Sequence, residues 1–504
     1  MENQFVGFSI GNRQDALNSG KKWFPYNKGG GFKKWYGNNE YLINWENDGL
    51  ELRNFKGSVI RSPQFYFRKC LSWCKVTISG FSMRLIPEGF LFDVAGCSLF
   101  VDDKKLPYLL GFANSKVNTL ILSIISPTVN YEVGHIASLP IKEISDSSNI
   151  IKIVNENIII SKNDWDFFEI SWDFKTHPLV KLRMAGAYAW GDALPTCRIS
   201  SAFKAWVILI DGQYDKLKSN EEELNRIFIE IYGLQKELNP EVEDKEVTIR
   251  KADLERDIRS FISYAVGCIF GRYSLDLDGL VYAGGKWDVS KYKTFNPDKD
   301  NIIPITDEEY FDDDIVARFV NFVKVVYGDN LVEENLDFIA DALGNKGSTT
   351  REVIRNYFIK DFYNDHVKNF KKRPIYWLFD SGKQNGFKAL IYLHRYNEDT
   401  VGRVRADYLH KTQTAIENAI ASCDVVFESN ASASDKAKAV KQKGKLVKQL
   451  AETRIYDQAI AHIAHQRISI DLDDGVVANY AKFQGIEVAS EGKKSVKVNL
   501  LGKI

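Results

Sequence analysis

The sequence predicts an α+β protein with a mixed-strand first domain, a mainly helical spacer and a C-terminal α/β region containing a long helical hairpin. Three observations carry this reading. Short strand-like runs between turn residues fill the first 140 or so positions. Near residue 200 the apolar period lengthens to three or four residues. Toward the end, two long helical runs flank a short Ser/Ala/Asn segment. A chain of 504 residues, at roughly 100–200 residues per domain, holds three or four domains. The pattern divides them at 1–142, 143–283, 284–345 and 346–504.

In the first domain the strand-like runs are 58–60, 65–67, 75–78 and 90–94, punctuated by Gly57, Pro63, Gly80, Pro87 and Gly89. Leu110, Ala113, Val117, Leu120 and Ile124 then recur at helical spacing, which predicts one helix over 107–125, stopped by Pro127. Strands followed by a packing helix give the α+β class. In the spacer, Asn220 ahead of three glutamates reads as an N-cap with acids in the first turn. Leu224, Ile227, Phe228, Ile231, Leu234 and Leu238 mark one face until Pro240. Leu254, Ile258, Phe261, Ile262, Ala265 and Ile269 mark the next helix. A polar connector occupies about 284–314, and helices follow over 315–327 and about 351–362. Alternation around Ile375, Trp377, Phe379, Leu390 and Tyr392 gives one or two strands within 374–393. The final pair of helices, about 402–423 and 434–465, forms an antiparallel hairpin across a polar turn at 428–434.

Composition sets limits. Hydrophobic residues at 44% and aromatics at 13% allow several packed cores and exclude global disorder. Six cysteines (Cys70, Cys74, Cys97, Cys197, Cys268, Cys423), without a C-x-x-C pair, read as reduced thiols in a cytoplasmic protein. The N-terminus lacks a basic and apolar leader pattern, and the most apolar stretch, 106–127, is interrupted by Asn114, Lys116 and Asn118, so no membrane association is expected.

The 67 basic and 67 acidic side chains cancel overall but not locally. Residues 11–84 carry thirteen bases against five acids, whereas 211–260 carry fourteen acids against nine bases. Within the basic stretch, lysines interleave with aromatics and glycines from Lys22 to Tyr36. Glycines let a backbone approach a phosphate, lysines neutralise it, and arginines and aromatic edges can read or flank bases. The candidate duplex-contacting residues are therefore Tyr26, Lys28, Gly29, Gly30, Lys33, Lys34, Trp35, Arg53, Arg61, Arg68 and Lys69, with Arg61 and Arg68 the candidates for reading a guanine edge. A second basic run, Lys436 to Lys448, contains no acid and reads as a solvated helix face.

Catalytic signatures are absent from the sequence. There is no phosphate loop, no G-x-G-x-x-G after a strand and no Asn-Pro-Pro-aromatic box. His462 and His465 lie one helical turn apart without a third ligand placed by sequence, and the acid-rich turns near Asp276 and Asp471 lack the full calcium-loop pattern. No catalytic residue and no metal ligand is assigned.

Several segments together resemble one family. Lys28-Gly-Gly-Gly-Phe-Lys-Lys-Trp-Tyr-Gly-Asn38 and Ile43-Asn-Trp-Glu-Asn-Asp-Gly49 are similar to the opening of the target-recognition region in fused adenine-specific DNA methyltransferases. Phe92-Asp-Val-Ala-Gly-Cys97, Leu109-Leu-Gly-Phe-Ala-Asn-Ser-Lys116, the stretch from Ile125 to His135, Arg373-Pro-Ile-Tyr-Trp377 and Tyr392-Leu-His-Arg-Tyr396 follow in order. Over nearly the whole chain this order resembles the PglX family, the adenine-specific methyltransferases of phage-exclusion (BREX) defence systems. The resemblance is to the C-terminal half. It implies a target-recognition domain at 1–142 that grips double-stranded DNA, while S-adenosylmethionine and the pocket for a flipped adenine belong to an N-terminal methyltransferase half. That half and other BREX proteins are the implied partners, and this chain alone is expected to bind no cofactor and to transfer no methyl group. The alternative is a protein-interaction scaffold, in which the helical middle and the hairpin dock other defence-system subunits.

Overall fold

The computed structural model describes residues 2–183, 198–490 and 493–504. It is α+β, with helices dominating four small sheets. The chain forms two compact units, and neither is continuous in sequence. One contains 3–178 with 204–253; the other contains the described residues among 1–2, 179–203 and 254–504. Cys197 lies outside the described residues; the remaining five cysteines are free and buried.

The first unit holds two three-stranded sheets. In one, β1 (Trp23–Asn27) pairs antiparallel with β2 (Tyr41–Asn44). Its other edge pairs in parallel with β5 (Leu91–Phe92). In the other, β3 (Cys70–Cys74) lies between β4 (Met83–Ile86) and β6 (Gly96–Leu99), antiparallel to both. Every residue of β3 is buried, so it shows no period-two alternation. The expected strand positions need correction for that reason. Residues 58–60 are loop, Phe65 closes the short 3-10 turn Pro63–Phe65 with 66–67 in turn conformation, and of 75–78 only Val76 bridges, to Asn130. Only 91–92 of the expected 90–94 form a strand.

The helix expected over 107–125 is two, Leu106–Ala113 and Lys116–Ile125, bent by 69°. Two polar residues make the break. Ser115 Oγ accepts from Asn118 N as an N-cap. The Asn114 side chain bonds both backbone groups of Met83, tying the bend to β4. Both helices pack into the unit's main core with Trp35, Leu71, Trp73, Met83, Val154 and Phe228. Among the described residues no single helix is long and apolar enough to cross a membrane.

Asn220 is not an N-cap. The helix runs unbroken from Ile199 to Tyr232, and Asn220 instead donates to Glu156 and Asn157 on the Ser148–Asp166 helix, at 2.9 and 2.8 Å. It stops at Gly233 (φ 73°), ahead of Pro240.

In the second unit the sequence pattern and the structure agree closely. Helices span Leu254–Phe270, Ile315–Tyr327 and Thr350–Lys360. The strand pair is β8 (Tyr376–Asp380) with β9 (Lys388–Tyr392), and β7 (Ile303–Pro304), inside the expected polar connector, adds to β9. The hairpin helices are His410–Glu428 and Ala433–Gln466, the second capped by Ser432. A terminal ribbon pairs β10 (Ile486–Ser490) with β11 (Lys493–Val498).

Candidate nucleic-acid interface

The glycine segment after β1 is shaped by what lies under it. Gly29 has φ 77°, and a Cβ there would meet the Ala95 carbonyl at 2.9 Å; at Gly30, φ 133°, it would meet the Asn38 side chain at 2.6 Å. Only glycine fits both places. Beneath them lies Arg84 of β4, with no exposed surface. Its guanidinium donates to the Gly29 carbonyl at 2.8 Å and to Asn27 Oδ1 at 3.4 Å, with Cys74 Sγ at 4.0 Å, and no carboxylate pairs with it among the described residues. Burial lowers its pKa from the ordinary guanidinium value, yet an arginine stays charged at neutral pH. A whole positive charge is thus fixed under the loop, while Lys28 stands exposed above it, its ammonium 5.8 Å from the Tyr41 ring centre.

The other sequence-predicted residues divide into three groups. Lys33, Lys34 and Trp35 point inward, which corrects the expectation that they face a phosphate or a groove. Lys33 Nζ donates to Asp164 at 2.8 Å, Lys34 Nζ to Glu221 at 2.7 Å, and Trp35 Nε1 to the other oxygen of Glu221 at 2.6 Å. Both lysines are 8% exposed and Trp35 is 1%. The basic stretch and the acidic middle of the sequence meet inside this unit, so part of each charge excess is spent on folding.

A second group is half-neutralised. Arg53 donates to Asp48, which also pairs with Arg13, and Lys69 lies 3.3 Å from Asp103. Tyr26 is half-buried and donates to Asp93 at 2.8 Å; burial first, and that bond second, raise its pKa.

The third group keeps its charge toward solvent. Lys28, Arg61 and Arg68 are exposed and form no ion pair among the described residues. Arg68 lies over the rings of Phe65 and Phe100, at 5.5 and 5.8 Å, which holds the guanidinium in a defined direction. The loop carrying Arg61 also presents Phe55 at 69% exposure, Lys56 and Val59 at 72%. Sequence reasoning left out Arg84, Phe55 and Lys56 as site residues. The signal for Arg84 was a base inside the apolar run Met83-Arg-Leu-Ile86; nothing in the sequence marks Phe55 as exposed.

In the second unit, one carboxylate cluster has the donor set a cation could use. Oxygens of Asp298, Asp300 and Asp313 lie within 4.8 Å of one another. The Tyr408 hydroxyl sits 3.0 Å from Asp300 and 2.7 Å from Asp313. Burial, with Asp300 alongside, pushes Asp298 up to about 7.

No family model matches the chain. Two relatives do. The chain is 44% identical over 494 residues, 96% of its length, to a protein named adenine-specific methyltransferase PglX from Lacticaseibacillus casei (strain Zhang). It is 38% identical over 508 residues to one named adenine-specific methyltransferase BrxX from Escherichia coli O9:H4 (strain HS). In each case the chain spans 40% of the relative's length.

Proposed function

We propose that this chain is the duplex-DNA recognition part of an adenine-specific DNA methyltransferase of the phage-exclusion type. It positions a target adenine for a catalytic part that binds S-adenosylmethionine and lies in the portion of the relatives this chain does not cover. Identity of 44% over 96% of the chain supports the methyltransferase reading. The observation that carries the DNA-binding part is the charge set at the glycine loop: Lys28 exposed above, and Arg84 buried below without a carboxylate.

The chain's own residues divide the work. Lys28 and the exposed Gly30 backbone meet a phosphate, while Gly29, buried with its N–H on Asn27 Oδ1, shapes the loop; Arg84 props it through the Gly29 carbonyl and adds fixed positive potential. In this reading Arg68, lying over two rings, and Arg61 read a base edge, since a guanidinium can fork onto guanine O6 and N7. Phe55, exposed between Arg53 and Lys56, would flank or wedge a groove.

Duplex affinity measured against salt tests the reading. Lys28→Ala should lower the slope of log K against log salt by about 1 for every duplex sequence, and Arg68→Ala should relax preference at one base position, costing about 1–3 kcal/mol there. Unaltered slopes and preference in both variants would move the DNA surface elsewhere. Methyl incorporation into DNA by the pure chain would contradict the assignment of chemistry to the uncovered portion.

A further inference from the structure

The second hairpin helix, Ala433–Gln466, has two apolar faces. The inner one is occupied: Ala439 and Leu446 pack with Ile416 and Cys423 of the partner helix. The outer one is open. Ala437, Val440, Gly444, Val447 and Ala451 are all exposed, with Val440 at 54% and Val447 at 48%. Their spacing alternates three and four residues, so at 100° per residue they fall within about 80° of arc. That is the seam of a coiled coil, presented to solvent.

Four of the five residues bordering the seam are basic, the fifth, Leu450, being packed against the inner core. Lys436 and Lys443 run along one side, Lys441 and Lys448 along the other, and no acid occurs between 436 and 451. Lys443 pairs with Asp424, while Lys436, Lys441 and Lys448 form no ion pair among the described residues. At the centre is Gly444, where a Cβ would meet nothing within 4 Å. A mid-helix glycine costs roughly 1 kcal/mol against alanine. Nothing in the described structure needs that glycine, whereas a closely approaching second helix would.

We propose that this face docks an α-helix of another protein, packed along the seam, with acidic residues at the positions that meet the flanking lysines. The chemistry selects that occupant over two others. A second copy of this chain would bring lysine rows against lysine rows. Duplex DNA would use the lysines but would gain nothing from Val440 and Val447 between them. The proposal is independent of the DNA surface on the other unit.

The test titrates the full chain with a labelled helical peptide carrying leucine at its core heptad positions and glutamate at the flanking ones, followed by anisotropy. A peptide with lysine at the flanking positions and a duplex of about 20 base pairs serve as the other probes. The acidic peptide should bind saturably at or below about 100 µM and the lysine peptide should not. Lys441→Glu/Lys448→Glu should weaken the acidic peptide at least about tenfold and admit the lysine peptide. Gly444→Gln should raise the thermal midpoint, because helix propensity improves, yet weaken the peptide; opposite signs exclude a folding artefact. Failure of the acidic peptide to saturate overturns the proposal. So does undiminished binding in Val440→Asp/Val447→Asp, which would mean charge attraction alone. Displacement of the peptide by the duplex, with equal loss of duplex affinity in the lysine variant, would make this face a nucleic-acid surface instead.

Discussion

Two buried arginines, one in each unit, are treated oppositely. Arg355 is 9% exposed and forks onto Asp314 with bonds of 2.7 and 2.9 Å, adding the Thr306 carbonyl at 2.8 Å. Arg84 is fully buried and has only a carbonyl, an amide oxygen and a thiol. The first charge is cancelled where it stands; the second is exported as potential at the loop above it. Burial alone therefore does not separate neutralised cations from unmatched ones. The partner set does, and Lys33 and Lys34, matched by Asp164 and Glu221, fall with Arg355.

The largest expected effect is on the matched side. Arg355→Leu leaves the buried Asp314 side chain with the Val316 amide as its remaining partner and should lose about 3–5 kcal/mol of stability in denaturant titration. Lys34→Leu should cost the same order, moderated because Glu221 keeps the Trp35 indole. A loss below about 1 kcal/mol in both would break the distinction between matched and unmatched charges. Arg84→Met, of similar volume, should change stability by only about 1–3 kcal/mol, from the unpaired Gly29 carbonyl, and should reduce duplex affinity and its salt slope.

Asp298 is a buried carboxyl group clustered with two others, Asp300 and Asp313, their oxygens within 4.8 Å of one another. Burial and then Asp300 raise its pKa to about 7. A raised folded-state value means the native state holds the proton more tightly than the unfolded chain. The stabilising contribution is complete below the unfolded carboxyl value of about 3.9 and is lost as pH rises through about 7. Asp298→Asn keeps an oxygen for the Asp300 and Asn301 amides and should flatten the decline in thermal midpoint between those pH values, with its gain greatest above pH 7. An unchanged pH profile would assign the trio a partner that compensates its charge.

How far the sequence revealed these features follows from periodicity. The helices Leu254–Phe270 and Ile315–Tyr327 are one-faced and were legible, as was the hairpin, because a polar turn separates two long runs. Strand β3 was not, because burial on both faces erases alternation. Nor was the break at Asn114–Ser115, which depends on β4 being near. At the candidate site, Lys28, Arg61 and Arg68 stand exposed as anticipated, whereas Lys33 and Lys34 do not. The acids that claim those two lie more than a hundred residues away, at 164 and 221, and composition windows count charges without knowing which ones meet.

The smallest effect on stability, and the sharpest on function, is expected at Lys28. Lys28→Ala removes an exposed ammonium whose one described neighbour is the Tyr41 ring, so the thermal midpoint should stay where it is. Duplex affinity should nevertheless fall, equally for all sequences, with the salt slope smaller by about 1. Lys33→Glu/Lys34→Glu, which a reading of charge alone would choose as the DNA-binding variant, should do the reverse. It sets two new carboxylates beside Asp164 and Glu221 and unfolds the unit, so any affinity it loses is lost with the structure. Circular dichroism and salt-dependent binding on the two variants separate these outcomes. A folded Lys33→Glu/Lys34→Glu protein with a reduced salt slope would return those lysines to the DNA surface and leave Lys28 a solvated side chain.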